Sequence, residues 1–410
     1  MKTMTPGTIE TMVRAMIAPG YARDAAGCSL SPAQWNGVEK RLDAHRLAPL
    51  AHYNLHRDAE LAALVPRALA SRLEERARQG VTDWLFEQQA IAAHRALFDE
   101  IGCDPVLLKG PALKAFAYPE PGLRPMRDLD YLLFSTEDAI AAYERFRQAG
   151  YEPYSKAQGD PRAILERQHQ LPMMISPDGD HAVELHGRLF HGNGPDPVGD
   201  AEFRARLVHR DLVGASIAFP SPEDQLVHLV HHAVNDHRFD NGPLTVSDVA
   251  FLEASSPIDE DRLAAIAKGY DMHRPLCLMR AIARSAWPSL GLPAIALEPE
   301  LEAVAWSMML ATPETTGRMR SRRTFAQATD HDPRRMLARL FPSRTELESH
   351  FGPARSTLRR SVHLARHWIR LVTKRLPVLV GSRGGPMDTA YDRLDAWLTG
   401  GMDRETPREP

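Results

Sequence analysis

Residues 106–134, VLLKGPALKAFAYPEPGLRPMRDLDYLLF, contain the features that decide the fold of this chain. An apolar run ends in Lys109-Gly110, a proline-rich loop follows, and a second apolar run contains Asp128 and Asp130. A buried carboxylate is costly unless a cation or hydrogen bonds compensate its charge. Two aspartates inside an apolar run therefore indicate a metal site.

The same stretch predicts two strands separated by a helix and a loop. Residues 104–110 form a short apolar run closed by glycine, and Pro111 can open a helix at its first turn. Residues 127–134 predict the second strand. Because side chains alternate along a strand, Asp128 and Asp130 would point to one face, roughly 6.6 Å apart.

Further strands and one helix complete a small mixed α/β unit over residues 103–220. Residues 135–150 begin with a Ser/Thr capping pattern and end at Gly150, which predicts a helix. Residues 170–176 and 181–189 read as strands, and the turn Pro-Asp-Gly-Asp between them suggests an antiparallel hairpin.

Helical patterns flank this unit on both sides. Residues 8–100 show apolar spacings of three and four, and Ser221-Pro222 is a strong helix start. The fold class is therefore α+β, a small mixed sheet flanked by N-terminal and C-terminal helical regions. The expected division is 1–100, 101–220, 221–385 and 386–410. After residue 221 the patterns predict helices near 245–254, 259–268, 274–288, 297–310, 333–341, 354–375 and 388–399.

Three carboxylates are the candidate metal ligands. Asp128 and Asp130 could share divalent cations, as in two-metal phosphoryl transfer; the alternative is a strand end whose aspartates cap turns. Glu184, between Val183 and Leu185, could be the third ligand, or it could face solvent on an edge strand. His186 would share its face and could orient a carboxylate or phosphate, or be only a hydrogen-bonded histidine.

Basic and glycine residues near the aspartates are candidate phosphate contacts. Lys109-Gly110 opens a helix, where backbone N–H groups and a lysine suit a phosphate. Arg124 and Arg127 could hold a triphosphate or its leaving pyrophosphate. The alternative is that one of these arginines pairs with the nearby carboxylates.

Two other features are weaker. His228, His231 and His232 would share one side of a helix, where we favour hydrogen-bonded histidines lining a cleft over a zinc site. Asp248 could cap a helix or hold one of these histidines, and we prefer a structural role for it. Residues 355–375 contain seven basic and no acidic residues beside an apolar stripe, which favours a packed helix over an anion- or membrane-docking face.

The net charge, the cysteine spacing and the absence of certain motifs argue against several classes of protein. A net charge of −3 gives no general attraction to nucleic acid or membrane, and no apolar run approaches the ~20 residues of a membrane span. The three cysteines lie far apart, which fits a reducing cytoplasm best. No Walker A, G-x-S-x-G or G-x-G-x-x-G pattern is present, which argues against P-loop, hydrolase and Rossmann enzymes.

Together these motifs resemble the uncharacterised nucleotidyltransferase family of the DNA polymerase beta-like superfamily. The resemblance covers most of the chain and is most specific over residues 105–255. It is carried by Lys109-Gly110, Tyr118-Pro119, Gly122-x-Arg124, Asp128-x-Asp130, Glu184-x-His186, residues 221–236, residues 246–249 and residues 35–55.

The resemblance implies two Mg²⁺ ions (with Mn²⁺ as a substitute), an NTP donor and nucleotidyl transfer to an acceptor. Asp128 and Asp130 would hold both metals, and Glu184 would bind the catalytic metal and help to deprotonate the acceptor. The acceptor stays open among small molecules, peptides, proteins and RNA. One departure favours a non-catalytic nucleotide-binding or interaction module: Pro111 follows Gly110 where the wider superfamily usually has serine.

Overall fold

The structure is a computed structural model, and it describes residues 7–154, 160–191, 195–312, 315, 341–343, 347, 356–370 and 386–398. The described residues of 7–154 and 161–310 form one compact unit, and Asp160 with the described residues from 311 onward forms a second. The four-part division predicted from the sequence stays a prediction.

The predicted N-terminal helical region is confirmed. Ser31 illustrates the local signals, since its hydroxyl accepts a hydrogen bond from the Gln34 amide and proline follows it at the first helical position. The helices are α1 (Thr8–Ile17), α2 (Pro32–Ala44), α3 (Ala48–Leu55), α4 (Ala59–Leu64) and α5 (Arg67–Glu100).

The expected mixed sheet is also present, and its described strands run in the order β3-β4-β5-β2-β1-β7-β6. The strand β2 is antiparallel to β1 and parallel to β5, and β1 is parallel to β7. The strands are β1 (Val106–Leu107), β2 (Asp128–Leu132), β3 (Glu152–Pro153), β4 (Met174–Ile175), β5 (Ala182–His186), β6 (Val208–Leu212) and β7 (Ala215–Phe219).

One face of the sheet carries the apolar core. Leu129, Tyr131 and Leu133 are buried there with Phe98 of α5 and Phe146 of the helix after β2. The alternation of β2 therefore leaves Asp128 and Asp130 on the opposite face. The shorter helices within the α/β region are α6 (Gly110–Phe116), α7 (Thr136–Gln148), α8 (Pro161–Leu165) and α9 (Ala201–Ala205).

The helices after the sheet match most of the predicted patterns. The helix capped by Ser221 is α-helical only from Pro222 to Val230 and continues as a π-helical turn, His231–Asp236. The others are α10 (Pro222–Val230), α11 (Leu244–Ser255), α12 (Glu260–Gly269), α13 (His273–Ala286) and α14 (Pro299–Met309); α15 (Thr357–Arg370) and α16 (Pro386–Leu398) lie in the second unit. The helix predicted near 333–341 lies outside the described residues except at Phe341.

Some details differ from the sequence-based expectations. The hairpin of β4 and β5 is confirmed, but both strands are shorter than predicted. The hairpin of β6 and β7 was not predicted, because its turn places the β-branched Val213 at a φ of 54° before Gly214. On α15 the apolar stripe does not pack as expected, since Leu358 and Val362 are exposed and His363 is buried instead.

None of the helices in the described part of the chain combines the length and apolarity that a membrane crossing requires.

Candidate functional site

The register of two parallel strands brings together an acidic cluster. Asp130 of β2 lies opposite Glu184 of β5, and Leu132 lies opposite His186. One ligand atom from each of Asp130, Glu184 and His186 lies within 4.8 Å of the others. Within the described residues this is the one group of three or more His, Cys, Asp or Glu side chains that is so arranged. Asp128 stands one alternation away on the same face of β2.

The strand β1 supplies a cation to this cluster. Its pairing with β2 extends through the amide of Leu108, which donates to the Asp130 carbonyl at 2.9 Å. The next residue, Lys109, turns into the site, and its Nζ lies 3.0 Å from Asp130 Oδ1. The predicted contact of Lys109 with phosphate stays a prediction; in the structure its partner is a carboxylate.

His186 orients the same carboxylate. Its Nε2 donates to Asp130 Oδ1 at 2.9 Å and lies 3.6 Å from Glu184 Oε2. Its Nδ1 is buried without a hydrogen-bond partner among the described residues. Of the two readings left open by the sequence, the geometry therefore favours a histidine that holds a carboxylate.

The charges of the cluster are unequally compensated. Burial raises the pKa of Asp130, but Lys109 and His186 outweigh it and hold that pKa well below its usual range. Burial, Asp130 and Glu184 raise the pKa of Asp128 to about 6. Lys109 is also buried, yet Asp130, Asp128 and Glu184 hold its pKa above the ordinary value. The two aspartates of β2 therefore differ in pKa because Lys109 and His186 both hydrogen-bond to Asp130.

Arg124 is held by a partner outside the cluster. Its Nε and Nη2 donate to the two carboxylate oxygens of Asp248 at 2.7 and 3.0 Å, and Tyr118 Oη donates to the same carboxylate at 2.7 Å. Asp248 lies within α11, so it does not cap that helix, and its carboxylate holds Arg124 and Tyr118 rather than a histidine. This is the structural role that we preferred from the sequence. Its role is to anchor Arg124, whose phosphate contact stays a prediction.

Gly110 and Arg127, the other two predicted phosphate contacts, differ in how closely they are packed. A Cβ added at Gly110 would lie 2.3 Å from Met126 Sδ and 2.7 Å from Arg124 Nη1, so a larger residue there would require these two side chains to shift. Arg127 is exposed and makes no hydrogen bond or ion pair among the described residues. The structure thus leaves Arg127 away from the cluster's hydrogen bonds.

The histidines of α10 and the π-helical turn lie above the cluster. Burial and the charge of Lys109 hold the pKa of His228 well below its usual range, and the same two causes lower that of His232 to about 4. His231 and His232 each present Nδ1 to Asp236, at 3.4 and 3.8 Å. His228 and His232 are therefore neutral neighbours of the site, and none of the three histidines belongs to a metal-ligand group within the described residues.

Gln225 was missed by the sequence reasoning. Its Nε2 donates to the Lys109 carbonyl at 3.3 Å and so ties α10 to the turn that carries the lysine. Glutamine inside a helix gives no signal of such a contact, and only the helix start at Ser221 located the element that carries it.

The cluster fits a divalent cation by its chemistry. Carboxylate oxygens suit Mg²⁺ and Mn²⁺, and an imidazole nitrogen is accepted by Mn²⁺. Asp128, Asp130 and Glu184 supply carboxylate oxygens, and Lys109 and His186 both hydrogen-bond to Asp130.

The model of the family described as "Uncharacterised nucleotidyltransferase" matches residues 31–288, more than half of the chain. The chain belongs to this family. The match includes α2 to α13 of the first unit, and with them the acidic cluster, Lys109 and the Arg124–Asp248 pair. No curated protein and no solved structure was found to match the chain.

Proposed function

We propose that this protein is a metal-dependent nucleotidyltransferase that transfers a nucleoside monophosphate from an NTP to an acceptor. The observation that supports it most is the meeting of Asp130, Glu184 and His186 beside Asp128 on one face of the central strands. Family membership supports the general class of reaction.

The proposed reaction assigns roles to this chain's residues. Asp128, Asp130 and Glu184 would hold Mg²⁺ or Mn²⁺, and His186 would fix the Asp130 carboxylate. A bound cation there would neutralise charge on the α-phosphate and on the leaving group. An acceptor oxygen attacks the α-phosphorus, its proton passes to Glu184, and the bond to the β-phosphate oxygen breaks to release pyrophosphate. Lys109, Arg124 and Arg127 are the proposed contacts for the phosphates.

The acceptor is proposed only as a class: a small molecule, a peptide, a protein or a nucleic acid with a free hydroxyl or phosphate. We also propose the cytoplasm as the compartment, because Cys28, Cys103 and Cys277 are all free thiols.

The experiment is pyrophosphate release from each of four NTPs with Mg²⁺ or Mn²⁺, in the presence of pooled acceptors. Asp128→Asn with Asp130→Asn should abolish release, because both changes remove charge from the cluster. Asp211→Asn is the matched control, since Asp211 is exposed on β6. Undiminished release by the double variant would refute the mechanism.

The second candidate is a non-catalytic nucleotide-binding or interaction module. The observation that favours it is Pro111, which occupies the position after Gly110 where a phosphate-binding hydroxyl is expected. Tight NTP binding without any pyrophosphate release, across the same acceptor pool, would select this candidate.

A further inference from the structure

Lys109 has an unusual backbone conformation for a residue with a side chain. Its φ is 51° and its ψ is −109°, at the boundary between β1 and α6. Non-glycine residues rarely adopt positive φ, and such strain persists only where surrounding contacts enforce it. Here Gln225 binds its carbonyl, and the β1–β2 ladder holds the residue before it. The fold therefore enforces the direction of this lysine.

The enforced direction places the ammonium among the candidate metal ligands. Nζ lies 3.0 Å from Asp130 Oδ1, and 15% of the lysine side chain is exposed. The charges of Asp128 and Glu184 also act on it. Asp130 thus binds the ammonium through Oδ1, the same oxygen that accepts from His186. The ammonium therefore lies beside a carboxylate of the candidate metal-ligand group.

We propose that Lys109 is a built-in competitor for the divalent cation: its ammonium neutralises Asp130 at rest and must leave when the metal binds. This inference rests on the metal site of the proposed function and adds its regulation. A cation of charge +2 satisfies the carboxylates better than a single ammonium, so the exchange is favourable once metal is present.

The exchange has a consequence for the nucleotide. An ammonium displaced from Asp130 keeps its charge and is attached at the start of α6, within reach of the cluster. It then becomes available to an anionic group that approaches the metal, and a triphosphate is the substrate class that fits. Metal entry and triphosphate binding are coupled through this one side chain.

The first test measures Mn²⁺ affinity of the full chain without nucleotide, by electron paramagnetic resonance of free Mn²⁺. Lys109→Met should bind Mn²⁺ about tenfold more tightly, the lower end of what one charge-assisted hydrogen bond contributes. Lys109→Arg keeps the charge and should stay within about twofold of the unmodified protein. Lys268→Met, at an exposed position of α12, removes the same charge elsewhere and should change nothing.

Unchanged or weaker Mn²⁺ binding by Lys109→Met would overturn the proposal, and circular dichroism of each variant verifies that it is folded. A second test needs no variant. Acetic anhydride labelling, read by peptide mass spectrometry, should increase at Lys109 when Mn²⁺ is added; labelling that does not respond to Mn²⁺ overturns the proposal.

These results are separable from a failure of the proposed function. If the Mn²⁺ measurements show no competition by Lys109, the unmodified protein can still release pyrophosphate. If the unmodified protein releases no pyrophosphate, the Mn²⁺ measurements can still be interpreted.

Discussion

Removing the Asp248 carboxylate should strongly destabilise the protein, because it leaves the Arg124 guanidinium buried without its partner. The side chains of Arg124 and Asp248 are 12% and 3% exposed. Breaking a buried ion pair from one side costs about 3–5 kcal/mol. Tyr118 also loses its acceptor, so we expect Asp248→Ala to lower the free energy of unfolding by about 4 kcal/mol.

A double-mutant cycle measured by urea denaturation tests this magnitude. Arg124→Ala, Asp248→Ala and the combined variant should show a coupling of about 2–3 kcal/mol, because the second change removes a charge that the first left unpaired. Glu137→Ala is the control, since its pair with Arg162 is exposed and should have no resolvable effect. Additive single effects, or a loss below about 1 kcal/mol for Asp248→Ala, would refute the reasoning.

Two further predictions concern other contacts. In a urea titration, Gly122→Val should lower the free energy of unfolding by about 1–3 kcal/mol. The reason is that a Cβ at Gly122 would lie 2.8 Å from Val81 Cγ2 and 3.0 Å from the Val81 amide nitrogen. Gly269→Ala is the control and should be neutral, because a Cβ at Gly269 would have nothing within 4 Å. His94 should make the protein acid-sensitive: burial lowers its pKa to about 3, so below pH 6.5 the unfolded chain binds a proton that the folded chain refuses. The stability present above pH 6.5 is then lost as the pH falls, by about 2 kcal/mol at pH 5. In His94→Gln the loss of stability between pH 7 and pH 5 should be smaller by about 2 kcal/mol. Equal losses in the two proteins would contradict this prediction.

The sequence could predict the elements whose signals are local. The strand of Asp128 and Asp130 and the helices that begin after Ser135 and Ser221 were all anticipated. In each helix a serine hydroxyl accepts from the amide three residues later, at Asp138 and Asp224. The β6–β7 hairpin was missed because Val213 occupies a backbone region that favours glycine or asparagine. The π-helical turn was missed because its spacing leaves no mark on an apolar pattern.

The sequence predicted which residues belong to the site better than it predicted which side chains each of them contacts. Alternation along β2 and β5 placed the acidic residues on one face, but only the register set Asp130 opposite Glu184. Arg124 and Asp248 are separated by more than one hundred residues, so no local pattern could pair them. Lys109 was predicted to contact phosphate because glycine and a helix follow it. Its contact with Asp130 was missed because it depends on the positive φ of Lys109, which no local pattern indicates.

The contact between α5 and the loop before Arg124 limits which residues the two backbones can accommodate. A Cβ on Gly80 would lie 2.4 Å from the Gly122 carbonyl oxygen, and one on Gly122 would meet the backbone of Val81. Each position excludes a side chain because of the backbone at the other. The two glycines therefore constrain each other, and a side chain at either position would require the loop that carries Arg124 to move.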